Sequence, residues 1–186
     1  MKEVTAVQNP AKTKLGHLKG NKQAGFGALE VMLALGVGLL VVIGAIAWKS
    51  KLDNSGNNQA EVENIASLIS NIKQLKTASG YGDSGTDLIP LLISSEGVPG
   101  NMAKTASKVN NTWGGSVSLS STGSGYTLTY AGVPTANCVF LSTQANNGNG
   151  MSLRINGGAA ITGEVTSAAA GPACSSASNS LAWSGR

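Results

Sequence analysis

The stretch Phe26-Gly-Ala-Leu-Glu-Val-Met-Leu-Ala-Leu-Gly-Val-Gly-Leu-Leu-Val-Val-Ile-Gly-Ala-Ile-Ala-Trp48 decides the fold of this chain. Its length matches the ~20 apolar residues that span a bilayer as a helix. Its single charge is the carboxylate of Glu30, near the start. A charge in hydrocarbon costs roughly 2.5 to 3.5 kcal/mol on insertion scales, so a residue that carries one is a candidate for function. The stretch therefore predicts a helix that enters a membrane, with Glu30 as its functional residue.

Positive charge is concentrated ahead of this stretch. Residues 1–25 carry five lysines and one glutamate, a net charge of +4, which leaves eight of the 13 basic and eight of the 9 acidic side chains for residues 26–186. A nucleic-acid-binding protein clusters Lys and Arg on its folded part, so we expect no nucleic-acid partner. The basic leader instead fits the positive-inside rule, which keeps this end of the chain in the cytoplasm.

The two cysteines, Cys138 and Cys174, both follow the apolar stretch and therefore lie across the membrane from the leader. Because thiols outside the cytoplasm oxidise, an even cysteine count predicts a disulfide, with two buried free thiols as the alternative. Such a bridge would stabilise the fold by ~4 kcal/mol in the chain-entropy model.

Beyond Asn58 the apolar residues follow a helical period. They recur at spacings of three and four, while Glu61 and Glu63 are predicted to lie on a solvated face; the apolar stripe is Val62, Ile65, Leu68, Ile69, Ile72 and Leu75. Asn58 and Glu61 have the spacing of a capping box. Two arrangements stay open: one long helix that runs from the membrane to about Ala78, or two helices that meet near residues 53–58.

The C-terminal half alternates apolar and small polar residues, the pattern of β-strands. Residues 115–121 and 126–130 have period two and are joined by Thr122-Gly-Ser-Gly125, which predicts an antiparallel hairpin. Residues 151–155 and 180–184 are two further predicted strands.

The remaining segments are predicted from their turn residues. The segment that begins at Val133 fits either a strand or a short helix opened by Pro134, and we favour the helix because proline is favoured at the first turn. Residues 79–112, rich in Gly, Ser, Asp and Pro, predict a long loop with room for one short helix. The small residues around Gly171-Pro-Ala-Cys174 predict another loop.

Catalytic groups are scarce. His17 is the sole histidine and lies in the leader, so the rest of the chain has no imidazole for a nucleophile or a metal site. Asp83-Ser-Gly-Thr-Asp87 lacks the alternating ligands and closing Glu of a calcium loop, and we interpret it as a solvated loop. We expect no enzyme activity, no cofactor and no metal.

The order of features at the N-terminus resembles that of type IV prepilins. These have a basic leader, here ending in Gly25, then an apolar helix that starts at Phe26 and carries an acid, Glu30, at its fifth position. The resemblance implies an α+β pilin fold, in which a long N-terminal helix packs against a small antiparallel sheet. It also implies cleavage between Gly25 and Phe26, N-methylation of Phe26, and pairing of Glu30 with the new N-terminal amine of a neighbouring subunit.

Later motifs resemble those of the type IVb branch, especially the major pilins of plasmid-encoded thin conjugative pili and their enterobacterial relatives. The motifs are Val98-Pro-Gly-Asn-Met102, Asn111-Thr-Trp-Gly-Gly115, Val133-Pro…Cys138 and the second cysteine near the C-terminus. Phenylalanine at the first mature position is more typical of the type IVa branch and departs from this pattern.

The resemblance implies three parts: a removed leader at residues 1–25, a transmembrane and filament-core helix at 26–52, and a globular head at 53–186. The protein would be held in the inner membrane of a Gram-negative bacterium and then polymerised into an extracellular filament for adhesion, aggregation or conjugative mating. Its partners would be further copies of itself, a prepilin peptidase, the inner-membrane assembly machinery, an outer-membrane secretin, and a host or recipient cell surface.

Three other interpretations stay open. The first is a minor pilin or a type II secretion pseudopilin, and the second is a membrane-anchored periplasmic binding protein that never polymerises. The third is an ordinary signal peptide cut after Ala47, although the segment exceeds the usual 15 to 30 residues and Glu30 interrupts its apolar core.

Overall fold

A computed structural model describes residues 27–145 and 150–186, with the side chains of residues 29, 30, 34 and 40–55 outside the description. The described part of the chain divides into two units, which separate between Ala45 and Ile46. The second unit contains the sheet and the core.

The described residues contain four helices: α1 Ala28–Gln74, α2 Ile89–Ser94, α3 Thr135–Gln144 and α4 Ser167–Ala173. Helix α1 includes residues 53–58, which agrees with the first of the two predicted arrangements. Asn58 is therefore not a helix cap: its Oδ1 atom accepts a hydrogen bond from Nδ2 of Asn137 on α3, at 2.5 Å. Helix α1 ends at Gln74 rather than near Ala78, and a turn between Thr77 and Gly80 follows.

Within the part of the chain that the structure describes, seven strands form one antiparallel sheet of order β1-β2-β3-β4-β7-β5-β6. The last strand lies between β4 and β5, so the C-terminal segment runs through the middle of the sheet. The strands are β1 Ala103–Lys104, β2 Val109–Asn110, β3 Ser116–Ser121, β4 Tyr126–Val133, β5 Ser152–Ile155, β6 Ile161–Thr162 and β7 Asn179–Gly185.

The longer elements match the predictions from sequence. The predicted hairpin is confirmed as β3 and β4, which pair from Ser121 opposite Tyr126 onward. The helix after Pro134 and the strands β5 and β7 are confirmed as well. The predicted loop of residues 79–112 holds α2 together with β1 and β2, and two-residue strands are too short to show alternation.

Helix α4 was predicted as a loop because its residues are almost all alanine, glycine and proline. Thr166 caps it, since its Oγ1 atom accepts the N–H of Ala169 at 3.3 Å. The C-terminal end of α4 is followed directly by Cys174, so this short helix determines where the second cysteine lies.

One face of the sheet is the core of the head. The predicted stripe of α1 packs there: Ile65, Leu68, Ile69 and Ile72 are buried, and each such side chain stabilises the fold by about 1.5 to 3 kcal/mol. Two edge-to-face aromatic pairs fill the centre, Tyr130 with Trp183 at 5.7 Å and Tyr81 with Tyr126 at 5.4 Å between ring centroids. The other fully buried large side chains include Leu92, Leu119, Leu128, Leu141, Leu153 and Leu181.

The opposite face carries hydroxyl groups. One row crosses five strands in register and consists of Ser120, Thr127, Ser184, Ser152 and Thr162. The hydroxyls of Thr127 and Ser184 are hydrogen-bonded at 2.9 Å. Apolar residues on one face and hydroxyls on the other are typical of an antiparallel sheet with one wet side.

The end of α2 contains a strained residue that yields a stability prediction. The N–H of Gly97 bonds to Leu92 O at 2.9 Å and that of Glu96 to Ile93 O at 3.1 Å, a Schellman motif with Glu96 at φ 56° where glycine is usual. Because this conformation costs a non-glycine residue about 1 to 2 kcal/mol, we expect Glu96→Gly to raise the free energy of unfolding by about 1 kcal/mol. Urea unfolding of the variant measures this gain.

Ser94→Gly is the matched control, since Ser94 is exposed in the same helix and glycine there should cost about 0.5 to 1 kcal/mol. Equal destabilisation by both substitutions would show that the Glu96 conformation is not a source of strain.

Candidate assembly site

The described N-terminal part of α1, residues 27–39, has an uncovered apolar surface. Six large side chains there are 45–74% exposed: Val31, Met32, Leu33, Leu35, Val37 and Leu39. Gly36 and Gly38 lie on the same stretch, and no described atom comes within 4 Å of a Cβ added to either. An apolar surface of this kind needs lipid or another protein to cover it.

The residues predicted to act in processing lie at the edge of the description. Gly25 and Phe26 are outside the described residues, and Glu30 has only its backbone described, in the first turn of α1. Cleavage, methylation and the pairing of Glu30 therefore stay predictions. The predicted span, residues 26–52, includes side chains at 40–52 that are likewise outside the description.

Among the described residues, no helix has both the length and the hydropathy that a membrane span requires.

Glu61 connects α1 to the loop that precedes β3. The side chain is fully buried, and its Oε1 atom accepts the backbone N–H of Thr112 at 2.6 Å. Its Oε2 atom has no hydrogen-bond partner among the described residues. The prediction of a solvated face was therefore wrong for Glu61 and holds for Glu63, which is exposed. The sequence contained a signal for this burial, because Glu61 lies four residues before the buried Ile65 and therefore on the same face of the helix.

The buried carboxylate acts on Tyr130 of β4. Burial raises the pKa of Tyr130 well above its usual value of 10, and the negative charge of Glu61 raises this pKa further. The hydroxyl of Tyr130 lies 4.0 Å from the sulfur of Met102. Helix, loop and sheet thus meet around one carboxylate.

We expect Glu61→Ala to lower the free energy of unfolding by about 3 kcal/mol. The substitution leaves the N–H of Thr112 without its acceptor and creates a cavity where the buried side chain of Glu61 lay. Glu61→Gln retains an acceptor for that N–H and should cost less than about 1 kcal/mol. Denaturant unfolding of both variants, beside the exposed control Glu63→Ala, measures the difference. A loss for Glu61→Ala no greater than that of the control would contradict this role.

The motif Asn111-Thr-Trp-Gly-Gly115 forms a tight turn at the start of β3. The Oδ1 atom of Asn111 accepts the N–H of Trp113 at 3.1 Å and that of Gly115 at 2.8 Å, while Nδ2 donates to Ala131 O at 2.8 Å. One amide group thereby fixes the turn and ties it to β4. Since Glu61 bonds to Thr112 inside this turn, the motif is one of the parts of the head that hold α1.

A disulfide joins Cys138 on α3 to Cys174 after α4, and both residues are fully buried. The two helices it connects are packed against each other, and α3 also packs against the central strand β7. The bridge therefore ties the C-terminal region of the head to the helix that follows β4.

The head has cavities at its surface. One of about 460 Å³ is lined by hydroxyl residues, among them Thr122, Ser152 and Ser184, with Arg186 at its side. A second, of about 380 Å³, follows β3 between Asp87 and Lys108. Among the described residues, no group of three or more His, Cys, Asp or Glu side chains could hold a metal ion.

Comparison with known families identifies the head. Residues 55–185 match the family model described as PilS N terminal. The matched range contains the Glu61 contact, the Asn111 turn, both cysteines and nearly the whole sheet. No curated protein matches the chain.

Proposed function

Because the chain belongs to the PilS N-terminal family, a pilin-related family of type IV pilus proteins, we propose that it is the major structural subunit of a type IVb pilus. The observation that carries the proposal is the uncovered apolar surface of α1 at residues 27–39, on a chain whose head buries its apolar residues well. A surface that the protein does not cover itself suits a helix that is stored in lipid and then packed against copies of itself.

The processing step follows from charge. With the leader attached, the apolar helix is preceded by a net charge of +4, and the nitrogen of Phe26 belongs to a peptide bond and carries no charge. Cleavage after Gly25 would remove that charge and create an ammonium group at Phe26, four residues before Glu30. An ammonium from a neighbouring subunit can compensate the carboxylate where an unpaired charge is costly.

The head supplies the surface of the filament in this proposal. The contacts of Glu61 and Asn58 hold the second half of α1 on the sheet domain, so force applied to the helix reaches the head through several bonds. The hydroxyl face and the disulfide region would then carry contacts with other filaments or with a host or recipient cell. We propose a structural role without catalysis, processed at the inner membrane and displayed outside the cell.

Shearing of expressing cells tests the proposal. We expect filaments in the sheared fraction, visible by electron microscopy and composed mainly of this chain. A minor pilin or a pseudopilin would appear there in trace amounts or not at all. A chain found only in the membrane fraction, with no filaments, would contradict the proposal and favour an anchored periplasmic binding protein.

A further inference from the structure

The backbone around Cys174 is held by side chains from three different elements. We define the cysteine segment as residues 173–176. Its Ala173 carbonyl accepts a bond from Nδ2 of Asn156 at 2.9 Å, and its Ser176 carbonyl accepts one from Oγ1 of Thr135 at 2.7 Å. Thr135 is the first residue of α3, the helix that carries Cys138. The hydrogen bond from Thr135 to Ser176 therefore links the helix of Cys138 to the segment of Cys174 independently of the disulfide.

Asn179, at the start of β7, is the centre of this arrangement and is 1% exposed. Its Nδ2 atom donates to Ser176 O at 2.6 Å and to Val133 O, at the end of β4, at 3.1 Å. Its Oδ1 atom accepts the N–H of Ser176 at 3.2 Å and Nδ2 of Asn156 at 2.9 Å. All the hydrogen-bonding capacity of this amide is used to fix the cysteine segment against β4 and β5.

Asn156 completes the group from the end of β5. It adopts φ 51°, a left-handed conformation that asparagine tolerates better than most residues. Its Oδ1 atom accepts the N–H of Ser180 at 2.8 Å, and its own N–H donates to Ser180 O at 2.8 Å. Asn156 is therefore bonded to β7 and to the cysteine segment at the same time.

We propose that Asn156, Asn179 and Thr135 position Cys174 against Cys138 before the disulfide forms, so that the bridge closes on a segment that is already docked. Small secreted domains usually depend on the disulfide for folding, because loss of a native disulfide often abolishes it. The polar contacts around residues 173–176 give this head a way to fold with its thiols reduced. The three residues are positioning residues for the oxidation.

The chemical step is thiol–disulfide exchange with a small disulfide as oxidant. The thiolate of one cysteine attacks the oxidant, and the second cysteine then attacks the mixed disulfide; the protein loses two electrons and two protons, and the oxidant leaves as a dithiol. Docking of the cysteine segment and formation of the disulfide are thermodynamically linked. If docking raises the equilibrium constant for disulfide formation by some factor, the disulfide raises the equilibrium constant for docking by the same factor. Weakening the polar contacts should therefore make the bridge easier to reduce.

The test is the equilibrium of the full chain, in detergent, with oxidised and reduced dithiothreitol, read by thiol alkylation and mass. We expect Asn179→Ala and Asn156→Gly each to lower the equilibrium constant for bridge formation about tenfold, because each removes several hydrogen bonds. Glycine at 156 keeps the left-handed backbone, so that variant reports on the side chain. Thr135→Val is a milder third variant, expected to lower the constant about threefold.

Asn71→Ala is the matched control, because Asn71 also donates an amide hydrogen bond to a carbonyl, that of Gly97 at 2.8 Å, on an element without cysteines. It should leave the disulfide equilibrium unchanged. Hydrogen exchange gives a second readout: in the reduced wild-type chain, the amides of Asn156 and Ser180 should remain protected. Rapid exchange at both amides, or equal disulfide equilibria in the Asn179, Asn156 and Asn71 variants, would overturn the proposal.

Discussion

Replacing Gly115 with alanine is expected to unfold the head or to break the β3–β4 hairpin. A Cβ at this position would overlap the carbonyl oxygen of Ala131 and lie 2.7 Å from its carbonyl carbon and 2.9 Å from Nδ2 of Asn111. On the facing strand Gly132 has φ 72°, and a Cβ there would meet the Cα of Gly115 at 2.9 Å. Since all these neighbours are backbone or a side-chain amide held by hydrogen bonds, we expect a loss of about 4 kcal/mol or more.

Urea unfolding followed by tryptophan fluorescence measures this loss, because Trp183 is fully buried in the same sheet. Gly100→Ala is the matched control, since no described atom lies within 4 Å of its Cβ position and its φ is not in the left-handed region. A Gly115→Ala chain as stable as the Gly100→Ala chain would show that the two strands can separate at this point at little cost.

The second large effect is expected from Glu30→Ala, on filaments rather than on folding. In the proposed assembly, the variant subunit leaves the N-terminal ammonium of its neighbour buried without a counter-charge, and breaking a buried ion pair costs about 3 to 5 kcal/mol. We therefore expect the amount of this protein in the sheared fraction to fall at least about a hundredfold, while cleavage after Gly25 continues.

Glu63→Ala serves as the comparison, because Glu63 is an exposed acid farther along the same helix. It should leave the yield of filaments close to that of the wild type. Normal filament yield from a processed Glu30→Ala chain would exclude the pairing of Glu30 with the N-terminal amine. Loss of cleavage as well as of filaments would place the function of Glu30 in recognition by the peptidase.

The parts of the head that could be predicted are those in which one short-range pattern determines the structure. Strands β3 and β4 alternate strictly and are separated by a glycine-rich turn, so their hairpin follows from residues 115–130 alone. The stripe from Ile65 to Ile72 likewise predicts which face of α1 is buried. In both cases the periodicity of the side chains contains the information.

Glu61 and Asn58 show where this reasoning fails. Both were interpreted from local rules, as a solvated acid and a helix cap, yet each bonds to a residue far along the chain, Thr112 and Asn137 respectively. A buried carboxylate is tolerated only where a donor meets it, and the N–H of Thr112 comes from a turn that no local pattern connects to α1. The sequence spacing of Glu61 was compatible with burial but could not show the donor.

The order of the strands in the sheet could not be predicted from the sequence for a similar reason. Strand β7 was predicted, but its place between β4 and β5 depends on the polar contacts of Asn179 and Asn156 with Val133, Ser176 and Ser180. These residues lie in stretches of Asn, Ser and Gly that are typical of loops. Their partners are set by the tertiary fold, so composition predicts a turn where the structure has the anchor of the central strand.

The N-terminal residue of the protein in sheared filaments tests the central claim most directly. Mass spectrometry of the N-terminal peptide from purified filaments should find a chain that begins at Phe26. A chain that begins at Trp48 would instead indicate an ordinary signal peptide, and a chain that retains Met1 would indicate an uncut anchor. Either of these results would contradict the account of Glu30 and the apolar helix as an assembly element released by cleavage after Gly25.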